Sequence, residues 1–222
     1  MQLHFETLTD KILFVEIKSR RDLGNAFMRI QEHHESPAFK GQIFTFKDYW
    51  AWWALHGPGE LYWKYWKAFN LPAQAFKPFQ DGKFKPHSRI EQVLLDVLKP
   101  WVDDGFYVIA TSVGRDHHDI RHELAHALYA TNSSYRRKVR CVLEELIPRC
   151  RRQIEAYLEK TGGYHPSTWD DEVHAYILAG RQELREEGYI MVTPFRSVSK
   201  ALERIFNKYC PEGAEKLIKK IK

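Results

Sequence analysis

The sequence predicts an α+β protein, mainly helical with a small sheet, and three observations carry that prediction. Apolar residues recur at helical spacing along most of the chain, as at Leu23, Phe27 and Ile30. Two stretches read instead as strands. "LHFETLTDKILFVEIKS" (3–19) alternates around a Thr-Asp turn, and "FYVIATSV" (106–113) is rich in β-branched and aromatic residues. Finally, 44% of the 222 residues are hydrophobic, enough for a packed core and too many for a disordered chain.

Taken in order, 3–19 predicts a short hairpin. A helix follows over 20–36, ended by Pro37. Thr45, with Asp48 three residues on, predicts a capped helix over 45–57 that stops at Gly57-Pro58. More than a third of the residues from Phe44 to Phe79 are aromatic, including Trp50, Trp52, Trp53, Trp63 and Trp66. The pairs Trp50/Trp53 and Trp63/Trp66 have helical spacing and predict an aromatic core. A substrate-facing wall or lid is the second reading, and sparse basic residues weaken a base-stacking role. Residues 71–88, with three prolines and a glycine, read as an extended loop. Ser88 and Glu91 form a second capping pair for a helix over 88–105, before the strand at 106–113. Helices are then expected near 116–131, 133–147, 149–160 and 170–187, with one or two more in the tail. The whole reads as one domain over 1–222. It comprises an aromatic-rich portion (1–105), a core around a candidate metal site (106–188) and a helical tail (189–222).

Charge and cysteine content narrow the function classes. The net charge is +5, from 34 basic and 29 acidic residues spread along the chain, with local clusters at 136–138, 149–152 and the tail. Clusters of this kind usually form solvated helix faces, which argues against nucleic acid as the partner. The three cysteines form no CxxC pair and leave an odd thiol, as expected in a reducing compartment. The first residues hold His, Glu, Asp and Lys where a secretion signal needs an apolar run, and no apolar stretch is long enough for a membrane helix. The expectation is a cytoplasmic protein with no membrane partner. The oligomeric state is not legible.

The chemistry concentrates in "RHELAHALYA" (121–130). Residues four apart share a helix face, so His122 and His126 can reach one ion from a rigid backbone. Glu123 lies about 100° round from His122, flanking the ion without ligating it, where a general base for an activated water belongs. Ile120, Leu124 and Leu128 supply the opposite, core-facing side, and Ala125 and Ala127 keep the surface low near the ligands. An ion needs a third protein ligand. The extended HExxHxxGxxH form is absent, because Tyr129 and Asn132 stand at its Gly and His positions. The helix "WDDEVHAYILAG" (169–180) offers Glu172 on a face with Ala175, Tyr176 and Ala179. His174, on another face, is the weaker candidate. A helix-start acid favoured by the macrodipole is the plain alternative for Glu172, as it is for Asp170 and Asp171.

HExxH on one helix with a glutamate from a later helix resembles the gluzincin branch of the zincin metallopeptidases. The resemblance covers residues 106–180. It implies a zincin-like domain with Zn2+ held by His122, His126 and Glu172, and Glu123 as the catalytic base. It also implies that 106–113 is a sheet strand beside the cleft, its edge open to an extended peptide. The chain departs from familiar gluzincins at Tyr176, where an acidic residue usually follows the E-x-x-A alanine.

Tyr164, His165, Tyr176 and Tyr189 are eligible to stabilise an oxyanion. Asp119 could orient a ligand, though a solvated acid at a helix start is the plainer reading. The expected function is therefore that of a zinc metallopeptidase hydrolysing a peptide or isopeptide bond in a peptide or protein substrate. The alternative is a non-catalytic zincin-fold regulator or a partner- or nucleic-acid-binding protein. A closed four-ligand site that included His165 or His174 would favour that alternative.

Overall fold

The computed structural model describes residues 3–57, 59, 61–101, 105–114, 117–161, 168–186, 188 and 193–219. The chain divides into two compact units, Met1–Gly114 and Arg115–Lys222.

The first unit holds a four-stranded mixed sheet. Strands β1 (Leu3–Thr7) and β2 (Ile12–Ile17) form the expected antiparallel hairpin. β3 (Ala68–Pro72) and β4 (Tyr107–Ser112) complete the order β1-β2-β4-β3, with β4 parallel to β2 and antiparallel to β3. This corrects one expectation. β4 is an inner strand, hydrogen-bonded on both sides and buried along its length, so it has no free edge for a peptide. Its run of β-branched and apolar residues is what a strand buried on both faces requires.

Helix α1 (Arg20–Glu35) starts where the Ser19 side chain accepts from the Asp22 amide. Its Phe27 stacks on Phe69 of β3 at 5.3 Å between ring centroids and meets Phe76 edge-on at 6.1 Å. Gly24 allows close approach of α3 (Tyr62–Tyr65), since a Cβ there would stand 2.9 Å from the Trp63 Cβ. α2 (Phe46–His56) and α5 (Arg89–Leu98) begin with full capping boxes, Thr45/Asp48 and Ser88/Glu91. Glu91 also receives Arg29 at 2.8 and 2.7 Å, both side chains being buried. A bidentate partner in this position offsets the desolvation of the guanidinium, which lies among Phe46, Phe79 and Phe84.

The aromatic segment forms core, but not through its tryptophans. Tyr49, Tyr62, Phe69, Phe76 and Phe79 are fully buried, whereas Trp50, Trp52, Trp53 and Trp66 are only partly so, packed against that core. Residues 71–88 are not an open loop. β3 runs into a 3-10 turn (Ala73–Phe76) and α4 (Lys77–Gln80), because Phe76, Phe79 and Phe84 each bury a ring.

The described residues of the second unit are helices and turns: α6 (His117–Thr131), α7 (Ser133–Glu144), α8 (Pro148–Thr161), α9 (Trp169–Leu178), α10 (Arg181–Glu186), α11 (Thr193–Tyr209) and α12 (Glu212–Lys219). The helix expected over 170–187 is broken at Ala179-Gly180. A Cβ at Gly180 would lie 2.4 Å from the Tyr176 ring, so the break lets that ring fold against bare backbone. Among the described residues, no helix is long and apolar enough to cross a membrane.

Candidate metal centre

Two helices build the site. α6 buries Ile120, Leu124, Ala125, Ala127 and Leu128, which orients the helix and turns His122 and His126 together toward α9. α9 buries Val173, Ala175 and Ile177, and their packing brings Glu172 up to the two rings.

His122 Nε2 and His126 Nε2 are 3.1 Å apart. Glu172 Oε2 lies 3.6 Å from the His126 nitrogen and 3.9 Å from that of His122. These three atoms close a triangle that could hold a metal ion. Ligands about 2.0–2.2 Å from a tetrahedral zinc stand roughly 3.3–3.6 Å from one another, so the triangle has about the right size as well as the right donors. His126 is almost wholly buried, while 17% of the His122 side chain remains exposed, which makes the His122 side the wetter one.

The electrostatics are those of a cation site. Burial opposes a charge on His126, but Asp171, Glu172 and Glu123 overcome it and raise its pKa to about 10. Burial and the neighbouring imidazoles His126 and His174 push His122 well below its ordinary value, against the pull of Asp171. The surrounding acids thus favour positive charge at His126, and a metal held there would compete with a proton. Glu123 is buried on α6 and contributes to the negative field at His126.

Asp171 was not singled out from the sequence, where it reads as an ordinary helix-start acid. Its Oδ1 lies 3.0 Å from His126 Nδ1 and 3.3 Å from His174 Nδ1. Burial works to raise its carboxyl, but His126 and His174 outweigh this and hold it at about 2. The legible signal was its place beside Glu172 and three residues before His174. The carboxylate beside His126 Nδ1 is thus on α9. His174 faces Asp171 rather than the triangle, with its ring wholly buried.

No family model, curated protein or solved structure matches the chain.

Of the oxyanion candidates, Tyr176 packs edge-on against His122, 4.9 Å between ring centroids, with Tyr157 behind it at 5.2 Å. Tyr164, His165 and Tyr189 lie outside the described residues. Among the described residues three side chains converge that could hold an ion.

Proposed function

We propose that the chain is a zinc-dependent metallopeptidase of zincin-like type, hydrolysing a peptide or isopeptide bond. The observation that carries this reading is the His122–His126–Glu172 triangle with Glu123 on the same helix as the two histidines. The donor set of two neutral imidazoles and one carboxylate suits zinc, and the three ligands found among the described residues are the number a catalytic ion takes from the protein. Three free cysteines fit a reducing, cytoplasmic setting.

When bound, the ion supplies Lewis-acid chemistry, acidifying water and polarising the scissile carbonyl. His122 and His126 hold it from one rigid turn of α6, and Glu172 reduces the net charge of the assembly. Glu123 takes the proton of the attacking water and returns it to the departing amine. Of the four oxyanion candidates, Tyr176 is the one among the described residues, its ring packed edge-on against His122.

Glu123→Gln tests the reading, because it keeps the shape and loses the basicity. Zinc content and fold are expected to be unchanged. Chelator-sensitive hydrolysis of a mixed peptide library should fall by at least about 10²-fold, the lower end of general-base effects. Hydrolysis that persists in the variant would remove Glu123 from the mechanism. A loaded site with no hydrolysis at all would instead favour a non-catalytic regulator.

A further inference from the structure

Consecutive residues of one helix place a carboxylate oxygen beside each ring nitrogen of His126. Glu172 Oε2 lies 3.6 Å from Nε2, and Asp171 Oδ1 lies 3.0 Å from Nδ1. Adjacent helical residues point about 100° apart, so Asp171 and Glu172 can reach opposite edges of a ring inserted between them. The Asp171 oxygen is closed off from solvent. It also stands 3.3 Å from His174 Nδ1.

The His174 ring is itself immobilised. It is fully buried, stacked on Tyr129 at 5.1 Å and met edge-on by Tyr135 at 5.8 Å. The neighbouring Asp170 takes no part in this, since its carboxylate pairs with Arg151. An imidazole that ligates a metal through Nε2 must keep its proton on Nδ1. A carboxylate fixed at Nδ1 selects that tautomer, sets the ring plane and makes Nε2 a better donor.

We propose that Asp171, braced by His174, is the positioning residue of the metal centre and sets its affinity by holding His126 with Nε2 aimed at the ion. This inference rests on the ligand reading given above. Asn at position 171 can either accept from Nδ1–H or donate to a bare Nδ1, so it no longer selects a tautomer.

The experiment is a zinc titration of the untagged chain against a chromophoric chelator, with the thermal midpoint of the zinc-free chain measured alongside. Asp171→Asn should weaken zinc binding by about 10- to 100-fold. Saturation stoichiometry should be unchanged, and Asp170→Asn should bind as wild type does. His174→Phe keeps a buried ring but loses the contact to Asp171. It should weaken zinc several-fold, and it decides the matter if Asp171→Asn does not fold. Zinc bound as tightly by Asp171→Asn as by wild type, or lost equally in Asp170→Asn, overturns the proposal, as does an unchanged affinity in His174→Phe. A wild-type chain that takes up no zinc overturns the ligand reading itself, and the proposal with it.

Discussion

The Nε2 atoms of His122 and His126 face each other at 3.1 Å across one turn of helix. Asp171 and Glu172 draw positive charge to this pair, and a metal ion can take the place of the proton it attracts. Zinc should therefore stabilise the folded chain. At a hundredfold excess over its Kd, linkage gives about 2.7 kcal/mol. For a unit of this size that is on the order of ten degrees in thermal midpoint. Scanning calorimetry with added zinc, then with chelator, checks this. The shift should vanish in His122→Ala and in Glu172→Ala, and a midpoint indifferent to zinc in the wild type would argue against the site.

The aromatic segment should divide by burial rather than by ring size. Phe69→Ala deletes a fully buried ring stacked on Phe27 and should cost about 3–5 kcal/mol. Trp50→Ala removes a larger ring that is only partly buried, so its cost in urea denaturation should be clearly smaller. Equal costs would mean that the tryptophans carry the core after all.

Glu32 gives the first unit a pH dependence of its own. Burial raises its carboxyl above the ordinary 4.5, although the hydroxyls of Ser36, Tyr49 and Tyr62 pull the other way. A group whose folded pKa is raised contributes stability that is fully present below the unfolded value and lost as pH rises through the folded one. Wild-type stability should thus decline across that window, while Glu32→Gln should be flat there. Parallel urea midpoints of the two proteins over the same pH range would exclude Glu32 as the cause.

Much of this was legible because it is local. The caps at Thr45 and Ser88, the apolar stripe of α1 and the face shared by His122 and His126 follow from spacings of three and four residues. The partners of β4 did not, because strand order depends on contacts between distant segments. An inner and an edge strand of this composition look alike. Residues 71–88 misled for a related reason. Their prolines and glycine mark turns truthfully, but the burial of Phe76, Phe79 and Phe84 is set by what packs over them. Asp171 was hidden by its neighbours, since three successive acids at a helix start satisfy the macrodipole equally. Only the approach of His126 and His174 distinguishes it from Asp170.

Metal content tests the central claim most directly. Chain produced without an affinity tag and analysed by plasma mass spectrometry should carry about one zinc, as a single ion held by His122, His126 and Glu172 requires. That zinc should be lost on replacing any one of His122, His126 and Glu172 by Ala, and kept in Glu123→Gln. A wild-type chain that binds no zinc even when it is supplied, or a Glu172→Ala chain that keeps its full complement, would contradict the account.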